Sequence, residues 1–197
     1  MNKNHSHKVF NDPEMFAQKF DALERDVWQK PSKVITSLAL SDNAVVVEVG
    51  AGTGYFTIRL AEYLKNGKVI AFDQAPEMVA YLKKRVDDSV LTNVDVRLSG
   101  QRGNVDLEEK IDLVMCVDVY HHIDGRISYF SHLMQYLKHN GKIIIIDRPA
   151  DSPVVPPHGH QTPPELVIKE MKQAGFELVE ELDFLLPYQF YLTFKKV

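Results

Sequence analysis

The fold is decided by the stretch Val45-Val46-Val47-Glu48-Val49-Gly50-Ala51-Gly52-Thr53-Gly54-Tyr55-Phe56-Thr57. Four of its first five residues are β-branched and show no alternation with polar residues. This pattern predicts a strand that is covered on both faces, as in a parallel α/β sheet. The three glycines that follow can adopt positive φ angles and bring main-chain N–H groups close to a ligand. We therefore expect a strand, a tight ligand-binding turn and the start of a helix.

The spacing of the glycines separates two classes of nucleotide site. A dinucleotide site needs G-x-G-x-x-G, so that a pyrophosphate can lie at the helix N-terminus. Here the third glycine comes one residue early, and the carboxylate of Glu48 lies two residues before the first glycine. A carboxylate would repel a pyrophosphate but suits a ligand with ammonium and sulfonium charges. A nicotinamide or flavin site remains the alternative.

The pattern E-x-G-x-G-x-G resembles the S-adenosylmethionine-binding motif of class I (Rossmann-like) methyltransferases, particularly the small-molecule groups called type 11 and type 25. The resemblance implies S-adenosylmethionine as cofactor and S-adenosylhomocysteine as product. It also implies that the cofactor is held by Glu48, Gly50, Ala51, Gly52, Thr53 and Gly54.

Downstream, strand and helix patterns alternate from residues 45, 68, 93, 111 and 142, and a helix and two strands follow. We predict an α/β fold with a doubly wound, seven-stranded, mostly parallel sheet. The resemblance covers residues 45–197 and implies an antiparallel last strand. We assign residues 1–40 to an N-terminal helical cap and 41–197 to the methyltransferase domain. The cap helices are predicted to start at Asp12-Pro13-Glu14 and near Pro31-Ser32.

The second predicted strand ends in Asp73, about twenty residues after the glycines. At this point an α/β site places a carboxylate that accepts hydrogen bonds from ribose hydroxyls. A helix-capping role for Asp73 is compatible with ribose binding. By the resemblance, Gln74 and Met78 flank the adenine. The acid that the family commonly shows after the third strand is absent, and we assign the adenine contact to Gln101, with Ser99 as the alternative.

The fourth strand pattern, residues 111–118, leads into Asp118-Val119-Tyr120-His121-His122. Ligands of open parallel sheets bind outside the carboxyl ends of the strands, so this segment lies at the predicted active-site mouth. We assign Asp118 to the cofactor and Tyr120 to the substrate. His121 and His122 are candidate general bases, because imidazole has a suitable pKa. The alternatives are packing under the sheet edge for His121 and hydrogen bonding at a helix start for His122.

Two further segments are predicted to cover the mouth. By the resemblance, Trp28 and Arg25 are lid residues; the alternative is that Trp28 anchors the N-terminal helices to the core and Arg25 pairs with a nearby Asp or Glu. The proline-rich loop 148–161 leaves a strand end and carries His158 and His160, which we assign to substrate contact. Metal binding or simple loop hydrogen bonding are the alternatives, and we predict no metal. Flanking helices are expected over 124–138, ending at Asn140-Gly141, and from a capping box that starts at Thr162.

Composition limits the function classes. The chain has 197 residues, which fits one globular domain, and its net charge of −4 argues against a nucleic-acid partner. The single cysteine, Cys116, lies in an apolar run and is interpreted as a buried thiol. No stretch has the length of a membrane span or the core of a signal peptide, so we expect a cytoplasmic protein with no membrane partner. Oligomeric state is not predicted.

We therefore predict transfer of a methyl group from S-adenosylmethionine to a small molecule, at an oxygen, nitrogen, sulfur or carbon atom. The Asn/Asp-Pro-Pro-aromatic signature of nucleic-acid amino-methyltransferases is absent after the fourth strand. The alternatives are methylation of RNA or protein, and a non-catalytic protein that binds S-adenosylmethionine.

Overall fold

The computed structural model describes residues 12–100, 105–154 and 161–197. In these ranges seven strands form one sheet in the order β3-β2-β1-β4-β5-β7-β6. β7 is antiparallel to both of its neighbours, whereas the pairs among β1 to β5 are parallel. This confirms the predicted sheet and its inserted last strand. The strands are β1 Val45–Val49, β2 Lys68–Asp73, β3 Val94–Leu98, β4 Ile111–Val117, β5 Leu137–Asp147, β6 Phe176–Leu182 and β7 Phe190–Lys196.

Helices cover both faces of the sheet. They are α1 Pro13–Phe20, α2 Leu23–Gln29, α3 Pro31–Ser37, α4 Tyr55–Tyr63, α5 Pro76–Asp88, α6 Arg126–Leu133 and α7 Pro164–Gln173, with a short 3₁₀ turn at Tyr120–His122. α3 and α4 pack on one face, and α6 and α7 pack on the other. The sheet is therefore doubly wound, as predicted.

Alternate residues of the central strands fill two separate cores. In β5, Ile143 and Ile145 face α6 and α7, while Ile144 and Ile146 face α3 and α4. All four are at most 2% exposed. Because both faces are dry, these strands carry uninterrupted apolar runs. Cys116 is fully buried in β4, as the sequence indicates. Among the described residues, no helix is long and apolar enough to cross a bilayer.

The predicted helix over residues 124–138 was too long. α6 ends at Leu133, and Leu137 already belongs to β5, where it pairs with Ile111. The register then shifts, and Lys142 pairs with Leu113. Leu137 is buried while Lys138 is exposed. The segment therefore buries Leu137 by starting β5 with a β-bulge, and it does not continue α6 for another turn. Asn140-Gly141 consequently lies inside β5 and does not end a helix.

Two other local predictions need correction. No helix was predicted between the two cap helices, but a third helix, α2, lies there; it ends at Gln29, and its C-cap residue Lys30 has φ of +47°. Thr162 was expected to form a capping box, but it is buried and α7 starts at Pro164 without a side-chain cap. Pro163 and Pro164 fix the start of α7, because the proline ring restricts φ to values that suit the first turn of a helix. The Asp12 cap of α1 is confirmed, since Oδ1 accepts from Met15 N at 3.0 Å.

Gly175 ends α7 with φ of +93°, and a Cβ there would lie 2.5 Å from Met134 Cε. We expect Gly175→Ala to lower the free energy of unfolding by about 1–2 kcal/mol, because a side chain in this conformation is strained. Urea denaturation measures the change. Lys172→Ala, on an exposed position of the same helix, should stay within about 0.5 kcal/mol of the parent. Equal stability of the Gly175 variant would contradict the cap assignment.

Candidate active site

The glycine turn follows β1 and has no space for side chains at two of its positions. Gly50 and Gly54 have φ of +71° and +89°. A Cβ at Gly50 would lie 2.4 Å from Val119 Cγ2, and one at Gly54 would lie 2.2 Å from Leu82 Cδ1. The turn is tied to β2, because the N–H groups of Gly50 and Ala51 both donate to Phe72 O, at 2.8 and 2.9 Å. Glycine at 50 and 54 is therefore required by geometry.

Glu48 lies beneath this turn and is only 4% exposed. Its Oε2 accepts a hydrogen bond from Thr57 Oγ1 at 2.5 Å. Burial raises the pKa of Glu48 to about 7, although the Thr57 hydroxyl and the Arg25 charge act in the opposite direction. The carboxyl group can therefore change its charge near neutral pH. In the same turn, Thr53 Oγ1 is buried and has no hydrogen-bond partner among the described residues.

Asp73 connects the turn to the next helix. Oδ2 accepts from Gly52 N at 2.7 Å, and Oδ1 accepts from Ala75 N at 2.9 Å, just before α5. Burial raises the pKa of Asp73, and the backbone donors partly oppose this shift. Each carboxylate oxygen can accept a further hydrogen bond. Near it, Gln74 is exposed and Met78 is buried at 1% exposure in the first turn of α5.

Asp118 follows β4 in the left-handed region, with φ of +55°. Its oxygens are held by two elements: Arg148 Nη2 donates to Oδ2 at 3.0 Å, and Gln189 Nε2 donates to Oδ1 at 2.9 Å. Arg148 follows β5, and Gln189 precedes β7. The structure thus brings Asp118 to the mouth, where its carboxylate fixes an arginine.

His121 is oriented by a buried acid that the sequence reading missed. The ring atom Nδ1 of His121 lies 2.8 Å from Oδ1 and 2.9 Å from Oδ2 of Asp147. The backbone N–H of His121 also donates to Oδ2, at 3.2 Å. Asp147 is fully buried and ends β5. When Nδ1 donates to this carboxylate, Nε2 carries the lone pair that can accept a proton. Nε2 has no hydrogen-bond partner among the described residues.

His122 and Tyr120 occupy different environments from that of His121. His122 is exposed, and its ring centroid lies 4.1 Å from that of His121. Tyr120, predicted as a substrate contact, is instead a fully buried core residue. Its hydroxyl donates to Glu170 Oε2 at 2.7 Å, and its ring stacks on Phe130 at 5.4 Å. The 3₁₀ turn therefore buries Tyr120 in the core on the side of α6 and α7, and leaves His121 partly buried and His122 exposed.

The cap residues Trp28 and Arg25 lie on α2. The Trp28 ring centroid is 6.2 Å from that of Tyr188, and Arg148 Cζ is 5.8 Å from it. Arg25 Cζ lies 3.8 Å from the Tyr55 ring centroid, and Arg25 Nη1 donates to Phe20 O. These contacts hold both side chains within the N-terminal helices and beside Tyr188, and Arg25 pairs with an amide and a carbonyl oxygen and not with a carboxylate. The lid role stays a prediction.

Three predicted site residues, Gln101, His158 and His160, lie outside the described residues. Within the parts that are described, no group of three or more His, Cys, Asp or Glu side chains is arranged to hold a metal ion.

Asp147 and Arg148 were found only from the structure. For Asp147 the sequence contained a usable signal, because it ends a strand pattern in the same way as Asp73 and Asp118, which were both predicted as site residues.

No sequence pattern indicated Gln29 or Gln189. Both amides are fully buried, and Gln29 Nε2 donates to Gln189 Oε1 at 3.0 Å across 160 residues of sequence. Pairing at such a separation is a property of the folded chain.

Comparisons with known proteins find methyltransferases among the similar sequences and structures. A family model described as "Methyltransferase domain" matches residues 47–143. A malonyl-[acyl-carrier protein] O-methyltransferase of Ilyobacter polytropus is 33% identical over 98 residues, which are 50% of this chain and 35% of that protein. An uncharacterized methyltransferase-like protein of Schizosaccharomyces pombe is 33% identical over 117 residues, 58% of this chain and 42% of that protein.

Among solved structures, a SAM dependent methyltransferase from Aquifex aeolicus superposes with a TM-score of 0.85 at 24% identity. The match covers 94% of this chain and 99% of that one, and it shows the common fold. The curated relatives are longer proteins: the chain spans between 35% and 56% of the length of three that it matches.

The shifted pKa of Glu48 predicts a pH-dependent stability. Its folded-state pKa, about 7, exceeds the ordinary value of 4.5, so Glu48 destabilises the fold as pH rises through this interval. Between pH 5 and 8 the parent protein should lose about 2–3 kcal/mol of unfolding free energy relative to Glu48→Gln. Denaturation at several pH values measures this. Glu62→Gln, an exposed control on α4, should follow the parent, and parallel profiles for all three proteins would refute the assignment.

Proposed function

We propose that the protein, which belongs to the class I S-adenosylmethionine-dependent methyltransferases of the type 11/12 group, methylates a small molecule with His121 as the general base. The observation that carries this proposal is the His121–Asp147 pair at the carboxyl end of β4 and β5. A base is needed when the nucleophile is a hydroxyl, a thiol or a protonated amine.

The residues around the glycine turn fit S-adenosylmethionine. Gly50 and Gly54 let the turn follow a tight path that a side chain would block, and Asp73 beside it retains acceptor capacity for ribose hydroxyls. The unpartnered Thr53 hydroxyl offers a further polar contact. When deprotonated, the buried Glu48 favours a cationic ligand. When bound, S-adenosylmethionine supplies a methyl group on a positively charged sulfur, which is electrophilic without further activation.

The protein's own groups then have two tasks. The first is to align the acceptor and exclude water, because methyl transfer is an in-line displacement. α2 and the segment after β5 border the mouth for this purpose, with Trp28 near Tyr188 and Arg148. The second is to remove the acceptor's proton. His121 Nε2 takes it, and Asp147 stabilises the resulting imidazolium through Nδ1, because the carboxylate is buried and already oriented.

A small acceptor is supported by the net charge of −4, which argues against a broad phosphate-binding surface. Methylation of RNA or protein is the alternative enzyme function, and product formation with those acceptors alone would support it. Cofactor binding without S-adenosylhomocysteine formation, across small molecules, RNA and protein, would support a non-catalytic role.

The ribose assignment predicts that Asp73→Asn weakens S-adenosylhomocysteine binding by about 10-fold to 100-fold, because charge-assisted hydrogen bonds are lost. Isothermal titration calorimetry measures the dissociation constant. Asp87→Asn, on the exposed side of α5, is the matched control and should bind as the parent does. Unchanged affinity in the Asp73 variant would mean that the ribose is held elsewhere.

The base assignment predicts that His121→Ala lowers kcat by about 10²-fold to 10⁴-fold. Asp147→Asn, which loses the charge that orients the ring, should lower kcat by about 10-fold to 100-fold. S-adenosylhomocysteine formation on a panel of phenols, thiols and amines is the assay, and cofactor affinity should stay constant in both variants. His139→Ala, an exposed histidine in β5, is the control. Loss of turnover in His122→Ala with full activity in His121→Ala would transfer the role to His122.

A further inference from the structure

The acceptor side of the mouth contains an arginine with unused hydrogen-bond donors. Arg148 Nη2 donates to Asp118 Oδ2, and Arg148 Nε lies 2.9 Å from Asp118 Oδ1. A guanidinium carries five N–H donors in a planar fork. Within the described parts of the chain, Nη2 makes the only hydrogen bond of this guanidinium, and Nε is buried without a hydrogen-bond partner. The Arg148 side chain is 25% exposed, compared with 15% for Asp118.

The neighbouring acids, in contrast, are already bound to donors. Asp118 accepts from Arg148 and from Gln189 Nε2. Asp147 accepts the backbone N–H groups of Arg148 and His121 and also contacts His121 Nδ1, and it is fully buried. Apart from the Nε2 acceptor of His121, the hydrogen-bonding capacity that remains among these residues belongs to the donors of Arg148. Such a group matches an anionic partner, and a planar carboxylate fits the guanidinium fork.

Arg148 is also held in place from the cap. The buried amides of Gln29 and Gln189 form a chain in which Gln29 donates to Gln189 and Gln189 donates to Asp118. Arg25 Nε donates to Gln29 Oε1. Burial lowers the pKa of Arg25, the charge of Arg148 lowers it further, and Asp118 opposes the shift. Two guanidinium groups thus approach one carboxylate, which adds positive potential at this side of the mouth.

An aromatic surface lies beside this cation. Arg148 Cζ lies 5.8 Å from the centroid of the Trp28 ring, and the centroid of the Tyr188 ring lies 6.2 Å from it. Ser152 Oγ donates to Tyr188 O at 2.6 Å, which fixes the segment after β5 to the closing hairpin. A planar group next to Trp28 would therefore contact an aromatic surface. One carboxylate holds both His121 and the backbone of Arg148, since Asp147 Oδ1 accepts from Arg148 N and contacts His121 Nδ1.

We propose that the acceptor is a small aromatic molecule that carries a carboxylate, with the carboxylate bound by Arg148 and the ring placed against Trp28. The inference rests on the proposed methyl transfer and specifies its substrate class. In this scheme Arg148 determines specificity, and the Gln29–Gln189 pair is a positioning device that acts through Asp118. The carboxylate of S-adenosylmethionine itself is the competing partner for Arg148, and it is distinguished by measuring cofactor affinity separately.

The experiment uses 4-hydroxybenzoate and 4-hydroxybenzamide, together with their 2- and 3-hydroxy isomers, on the full chain saturated with S-adenosylhomocysteine. Calorimetry gives the dissociation constants, independently of turnover. We expect the parent protein to bind at least one acid about 10-fold or more tightly than its amide, and Arg148→Gln to reduce this preference to about threefold or less. Arg148→Lys should keep part of the preference, and Trp28→Ala should weaken acid and amide alike. Arg97→Gln, a paired surface arginine in β3, is the control.

Equal binding of acids and amides by the parent protein, or binding of neither, would overturn the proposal. So would a tenfold preference that survives in Arg148→Gln. A tenfold loss of S-adenosylhomocysteine affinity in Arg148→Gln, with the acid preference unchanged, would assign Arg148 to the cofactor and also overturn it. Arg148-dependent binding of the acids without any methylated product would refute the proposed methyl transfer and leave the carboxylate site standing.

Discussion

Four parallel strands carry an acidic residue at or next to their carboxyl ends, along one edge of the sheet. Each of these carboxyl groups needs hydrogen-bond donors, because it is wholly or partly buried. Glu48 has Thr57, Asp73 has two backbone N–H groups, Asp118 has Arg148 and Gln189, and Asp147 has His121. An unpaired buried carboxylate would cost several kcal/mol. The requirement to pair these acids thus shapes the glycine turn, the 3₁₀ turn and the contact between cap and hairpin.

The same acids divide the edge into two parts. Asp73 and Glu48 lie around a turn in which Gly50 and Gly54 have no space for a Cβ, and this part suits the methyl donor. Asp118 and Asp147 lie on the other part, where they orient an arginine and a histidine. The cap joins the two parts, since α2 contacts Tyr55 just after the turn and reaches Gln189 through Gln29. A movement of the cap would therefore affect both sites.

Much of this could be predicted from local sequence. The valines of β1, the isoleucines of β5 and the glycine spacing identify strands and a turn, because burial and backbone geometry leave direct compositional patterns. Asp73 and Asp118 were selected for the same reason. The pattern failed where tertiary packing outweighed local preference: residues 137–140 look like the end of a helix, yet the burial of Leu137 beside Ile111 makes them a strand. Tyr120 was assigned to the mouth, although its ring fills the core. The Gln29–Gln189 pair could not be predicted, because its partners meet only in the folded chain.

The most direct test of the account is a crystal structure of the complex with S-adenosylhomocysteine. We expect the ribose hydroxyls to lie within hydrogen-bond distance of Asp73, and the sulfur to lie between the Gly50–Gly54 turn and His121. The methyl position inferred from that sulfur should face His121 Nε2 across a gap that holds one acceptor atom, about 3 Å from the methyl. A ligand bound away from Asp73, or a His121 ring turned away from the sulfur with the Asp147 contact intact, would contradict the account.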